Sequence, residues 1–423
     1  MTRKTQRSAS LVQILPAAFF LYATLLPPEV AFYAGSFRMG AYRIALFLLV
    51  PWVFTQLVTG KIKFGFIDLM MLITALWLPV SFAQNYDVSV GIEAGGSQTI
   101  DMMLAYLVGR CSLNNFESLR RLLIIISPGL LIAGLLLVGE SIGGSLFVRQ
   151  TAQSIFGAAG EVGSNLNFER RLGLVRAYGP FSHPIHAGVF MSAFLPVFFM
   201  LFRNKIRQFS GFGFGILGFF SLSSAGFLAM LLNIALLGYD WLQKIVRDIG
   251  WRLALVVTAT MAFLIQMFSE GGVISVIYRY LTFNPGTGWY RTQIWKYASD
   301  DVLANPWFGI GYEPYTRPPW FWGSNSIDAH YLSMAVKYGL VPALLYFLIA
   351  IAVVVLLSRA ARQSALSTQR DVFVGLAIAL STIIIVMFTV AFWGAILAWF
   401  NFMLGLSLSL ARNRRNTTRP IRR

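Results

Sequence analysis

The chain holds one cysteine, Cys111, and only three histidines, His183, His186 and His330. A lone cysteine closes no intrachain disulfide, and no grouping at metal-ligand spacing is visible, so neither a disulfide framework nor a metal site is expected. Charge is scarce as well: 12% of the 423 residues are charged and 57% are hydrophobic, too little polar side chain to clothe a water-soluble globule. No polar linker is long enough to announce a separate soluble domain. The short alternating segments of a β-barrel are missing too. What is present is a series of charge-free apolar runs, among them 44–58, 122–138, 253–268 and 340–357. With their flanks they reach the length needed to cross a hydrocarbon core of about 30 Å as helix.

The basic residues fix a topology. Spans at roughly 10–27, 39–59, 65–83, 93–110, 122–140, 185–202, 209–222, 225–242, 253–269, 332–357, 372–392 and 394–411 put both termini on one side, and 23 of the 34 Lys and Arg residues then fall in the seven segments on that side. That distribution follows the positive-inside rule, so the net charge of +17 is topological and nucleic acid is not an expected partner. The run 412–423 reads as a basic cytoplasmic tail touching anionic lipid. The basic N-terminus followed by 11–26 has the form of a signal peptide, but an uncleaved first helix is the preferred reading. The expected architecture is therefore an all-α polytopic membrane protein of about twelve transmembrane helices, residues 1–423 forming a single integral membrane domain.

Two long connections break the pattern, 140–184 and 269–331, and both fall on the outer side. In the second, Thr287 to Leu303 reads as a short helix at the membrane surface, with Trp289, Trp295 and Tyr297 beside Arg291, Asp300 and Asp301. Asn305-Pro306 ends it. The aromatic run continues through Trp307, Tyr312, Tyr315, Trp320 and Trp322, an interfacial belt in part and in part a set of faces for sugar stacking. Gly211, Gly213, Gly215 and Gly218, followed by Ser221, Ser223 and Ser224, suit close helix contact. A phosphate-cradling loop would need a Lys and a strand that this stretch lacks.

Eleven basic residues remain outside against the topological trend, and nine are Arg. The planar, permanently charged fork of Arg suits bidentate phosphate contact, which points to an anionic substrate at the outer surface. Part of the set is expected to pair with outside acids such as Glu140, Glu161, Glu169, Glu270, Asp300, Asp301, Glu313 and Asp328. Arg176 and Arg291 are expected outside those pairs, because neither has an acid within four positions. The three histidines fall where the long loops re-enter the membrane, and His330 beside Asp328 is the foremost candidate for proton transfer.

Gly288-Trp-Tyr-Arg291 through Trp295, Asn305-Pro-Trp-Phe-Gly-Ile-Gly311, Asp328-Ala-His330-Tyr-Leu and Tyr338-Gly339-Leu340 together resemble the signature region of the O-antigen ligase and O-antigen polymerase superfamily. Arg176-Ala-Tyr-Gly179-Pro-Phe-Ser-His183-Pro184 through Gly188 resembles its first-loop element. The resemblance implies a class C glycosyltransferase-like fold in the bacterial inner membrane and an active site at the periplasmic face. It implies a donor of undecaprenyl-pyrophosphate-linked saccharide, whose pyrophosphate Arg176 and Arg291 hold, and a glycan or lipid A core acceptor whose hydroxyl His330 deprotonates or orients. Asp328 and Glu313 are rival bases. Arg171, His183, Tyr290, Tyr312, Arg317, Trp320 and Lys337 complete the expected substrate-binding set. Membrane lipid and a chain-length regulator protein are the other implied partners, and no cofactor is expected.

Direct attack of a hydroxyl on the anomeric carbon would invert it, with fixed guanidinium groups taking up the leaving-group charge in place of a metal. Polymerisation of repeat units is favoured over ligation to lipid A core by the aromatic insertion Arg317-Pro-Pro-Trp-Phe-Trp322. A polysaccharide or lipid transporter or flippase is the rival of another class. It would want a charged or broken-helix site near the bilayer midplane, often in two similar halves. Asp101 is the one clear mid-helix acid, and no half repeats the other.

Overall fold

The computed structural model describes residues 11–35, 37–60, 62–113, 115–157, 169–246, 249–269, 271–281, 285–321 and 324–413. Trp322, Glu161, Glu270 and the tail from 414 onward lie outside the described residues. Those described form an all-α polytopic membrane protein with two short hairpins, β1 (Ala31–Ala34) with β2 (Phe37–Gly40) and β3 (Arg170–Arg171) with β4 (Leu174–Val175). The helices of the first half are α1 (Leu11–Thr24), α2 (Ala41–Val58), α3 (Phe66–Asn85), α4 (Val88–Val90), α5 (Gly96–Ser112), α6 (Phe116–Gly143) and α7 (Phe147–Phe156), with a π-helical turn at Gly91–Gly95 between α4 and α5. The second half holds α8 (Pro184–Leu201), α9 (Lys205–Phe219), α10 (Ser224–Ile245), α11 (Trp251–Phe268), α12 (Gly272–Leu281), α13 (Pro285–Ala304), α14 (His330–Tyr338), α15 (Leu340–Arg362), α16 (Ser367–Val386) and α17 (Gly394–Asn413).

Among the described residues nine helices are long and apolar enough to cross a membrane: α2, α3, α6, α8, α10, α11, α15, α16 and α17. The other three expected spans are helical but shorter, with 14 residues in α1, 17 in α5 and 15 in α9. One expected span, 332–357, is two helices. Gly339 breaks it with φ +92, a conformation that only glycine adopts without strain, and an added Cβ there would run into the Trp307 carbonyl.

Where helices touch, small residues decide how closely. Gly109 on α5 and Gly405 on α17 bring two backbones together, and a methyl at either would enter the facing main chain. Gly211 and Gly218 of α9 lie against Leu195, Phe198 and Met191 of α8, which is the close-contact reading of that glycine-rich stretch. Helix α8 is buried almost throughout, packed by α9, α10 and α16. Helix α11 has no buried residue and is apolar nearly all round, a surface that lipid satisfies and water does not.

Buried ion pairs tie the helix ends. On the basic side of the topology Asp68 takes Arg110 at 2.8 Å and Arg412 at 2.6 Å. At the opposite end Arg149 of α7 meets Glu29 at 2.5 Å, both fully buried. Such a pair costs about 3–5 kcal/mol to break from one side, so it anchors α7 to the turn after α1. Helix α13 turns Arg291, Ile294, Ala298 and Val302 inward, a stripe at three-to-four-residue spacing that packs on protein, toward α12 and α14.

Candidate active site

The turn before α8 is set by Glu140 at the end of α6. Its buried carboxylate accepts backbone N–H groups from Val148, Tyr178 and Gly179 at 3.1, 2.9 and 2.7 Å, so it builds a loop rather than pairing with an arginine. Arg176 lies just before this turn. The β3–β4 hairpin returns the chain so that Arg176 N–H meets the Glu169 carbonyl at 2.9 Å, and Arg176 Nη1 reaches the Glu169 carboxylate at 2.7 Å. From α13, Arg291 Nε reaches Asp328 at 2.8 Å, with its guanidinium 5.8 Å from the Tyr278 ring centroid. Both arginines are thus ion-paired, against expectation. Sequence distance misled: the hairpin brings an acid from seven positions back, and the loop after α13 brings one from 37 positions on.

These groups line one pocket of about 200 Å³, which holds Arg171, Arg176, Arg291, Glu169, Asp328 and His183 together with Ser223, Ser224 and Ala225 at the start of α10. Three guanidinium groups face two carboxylates, so positive charge is in excess. Arg171 shows it: burial, then the neighbouring Arg176, pull its pKa down despite Glu169. Arg176 Nε is buried without a hydrogen-bond partner, and an orphan charged donor of this kind is costly unless an anion completes it. Leu222, at φ +46, turns its carbonyl to Arg171 Nη1 at 3.1 Å. Ser223 caps α10 beside it, so the positive end of a helix dipole also meets the pocket.

His183 caps α8, its Nδ1 accepting from Ile185 N–H at 3.1 Å. Burial first, and then Arg176, His186, Arg291 and Arg171, hold its pKa well below 6.5. His186 packs on Trp393 at 4.0 Å between centroids. The 391–394 turn also meets His330, whose Nδ1 accepts Phe392 N–H at 3.3 Å. His330 Nε2 is buried without a partner. Burial, then Lys337 and His186, lower the pKa of His330 to about 3, so the ring is neutral and carries its proton on Nε2.

His330 does not line the arginine pocket. It lines a larger one of about 650 Å³ with Tyr312, Lys337, Gln98, Glu93, Asp101 and Arg43. The loop 305–311 is pinned to the α14–α15 junction by Ile310 N–H to the Val336 carbonyl, Gly311 N–H to the Lys337 carbonyl and Leu340 N–H to the Pro306 carbonyl. The signature segments around Gly309 and Gly339 are thus a bracket for this wall. Arg43 grips Asp101 through two nitrogens at 2.8 and 2.7 Å, and Tyr42 adds a third bond to the same acid.

The candidate residues therefore divide. Arg171, Arg176, His183, Arg291 and Asp328 share the smaller pocket; His330, Tyr312 and Lys337 share the larger. Tyr290, Arg317 and Trp320 line neither, nor does Glu313. Tyr290 donates to the Ser324 carbonyl at 2.8 Å, as Arg317 does at 3.3 Å, and Trp320 packs beside Trp289, Tyr297 and Phe321. Glu93 and the Arg43–Asp101 pair were not foreseen as a site. The signal for the pair was an arginine at the outer edge and an acid inside an apolar helix.

A comparison with curated proteins gives no match. Residues 209–347, from α9 through the start of α15, match the family model described as O-antigen ligase. That segment supplies Arg291, Asp328, His330 and Lys337, whereas Arg171, Arg176 and His183 precede it. Through this segment, about a third of its length, the chain is similar to the O-antigen ligase and O-antigen polymerase superfamily.

Proposed function

We propose that the protein polymerises undecaprenyl-pyrophosphate-linked oligosaccharide repeat units at the periplasmic face of the bacterial inner membrane, by inverting transfer without a metal. The observation that carries this reading is the three-arginine pocket with its orphan Arg176 Nε. A pyrophosphate would satisfy that donor and balance the excess charge. As the anomeric C–O bond breaks, negative charge grows on the leaving pyrophosphate, and donors fixed beforehand by Glu169 and Asp328 stabilise it without reorganising. The acceptor saccharide enters the larger pocket, whose volume is in the range of ligand sites. There His330 Nε2–H orients one of its oxygens. Ligation to lipid A core is the second reading, supported by the description of the matching family.

Purified protein given the lipid-linked repeat unit should lengthen the glycan without ATP or an ion gradient, and transfer only to added lipid A core would select the second reading. No product with either acceptor refutes both. Arg291→Lys keeps the charge but loses the fork, and is expected to lower turnover by about 100-fold or more with normal membrane insertion. Full activity of that variant would remove Arg291 from the site.

A further inference from the structure

Four carboxylates line the two pockets: Glu169 and Asp328 in the smaller, Glu93 and Asp101 in the larger. Three are held by arginines, Glu169 by Arg171 and Arg176, Asp328 by Arg291 and Asp101 by Arg43. Among the described residues the carboxylate of Glu93, an exposed side chain, has no hydrogen bond or ion pair. It stands on the π-helical turn Gly91–Gly95, whose two glycines press against α3 around Pro79. A single π turn inside a helical run often marks a functional position, because it gives up regular hydrogen bonding to re-aim a side chain. The same pocket is lined by His330, whose Nε2 is buried and unpartnered. The one lone pair of that neutral ring, on Nδ1, is taken by Phe392 N–H. His330 thus offers the pocket a donor and no acceptor, which leaves the proton of an incoming hydroxyl without a receiver on that side.

We propose that Glu93 is the general base of the transfer, acting on an acceptor saccharide hydroxyl in the larger pocket while His330 Nε2–H holds a neighbouring oxygen of the same sugar. This rests on the glycosyl-transfer reading above. In the step the hydroxyl oxygen forms the new bond to the anomeric carbon, and the anomeric carbon–oxygen bond to the pyrophosphate breaks. The electron pair leaves with the pyrophosphate, and the hydroxyl proton passes to the Glu93 carboxylate and then to water.

The test compares wild type, Glu93→Gln and Glu93→Ala of the full chain in lipid nanodiscs, with the lipid-linked repeat unit as donor and acceptor and with or without added sodium formate. Glu93→Gln should lose about 10²–10⁴-fold in turnover while binding the donor with unchanged affinity, and formate should restore part of the Glu93→Ala rate by standing in for the lost carboxylate. Glu93→Gln turning over within about threefold of wild type, or a Glu93→Ala deficit that formate leaves unrelieved, overturns the assignment of Glu93 alone. Absence of transfer by the wild-type chain overturns this assignment together with the proposed function.

Discussion

Glu140→Ala tests whether the arginine pocket depends on a carboxylate that touches no substrate. Glu140 takes three backbone donors on two oxygens: Val148 on Oε1, Tyr178 and Gly179 on Oε2. A hydrogen bond to a charged acceptor contributes about 1.5–3 kcal/mol, and three that share one carboxylate are not additive. Removing them together should cost about 3–6 kcal/mol, a large part of a usual net stability of about 5–15 kcal/mol. Glu140→Gln keeps one acceptor oxygen, which serves the Tyr178 and Gly179 pair, and turns an NH₂ toward Val148 N–H; its cost is about 1–3 kcal/mol. Thermal unfolding in detergent reads the first effect. With about 2–4 °C per kcal/mol in domains of 150–250 residues and less in longer chains, Glu140→Ala should melt about 5 °C or more below wild type and below Glu140→Gln. Titration calorimetry with the pyrophosphate lipid reads the second, a weaker affinity, because Arg176 lies two residues before Tyr178. A Glu140→Ala protein with unchanged melting and unchanged donor affinity would refute the argument.

Gly339→Ala should fail to reach wild-type levels in the membrane, because φ +92 and the Trp307 carbonyl both exclude a side chain; normal yield and melting would show the α14–α15 break to be unnecessary. His183 gives a pH dependence. Its folded pKa lies well below 6.5, so on acidification the unfolded ring takes up a proton that the folded ring refuses. The stability contribution is full above pH 6.5 and declines below it. His183→Asn keeps a capping acceptor for Ile185 N–H without the titration, so the fall in melting temperature between pH 7.5 and 5 should be smaller than in wild type; equal falls would remove His183 as the cause.

Hydropathy alone located the nine helices that are long and apolar enough to cross a membrane among the described residues, since an apolar run in lipid has no alternative to helix, and the excess of arginine in the two long connections pointed toward the arginine-lined pocket. The sequence resemblance named Arg176, Arg291 and His330 because residue type and order survive in a linear reading. Pairing does not. That Arg176 meets Glu169 and Arg291 meets Asp328 depends on a hairpin and a loop closure that put distant acids at 2.7 and 2.8 Å. The division of the candidate residues between two pockets depends on the direction in which the 305–311 bracket and the 391–394 turn present α14. The all-α membrane architecture was thus determined by the sequence, through the cost of leaving backbone polar groups unbonded in lipid. Only the tertiary structure decided which of the pocket carboxylates are already held by arginine and which one, that of Glu93, has no partner among the described residues, because that is a matter of distances between segments that no local pattern encodes.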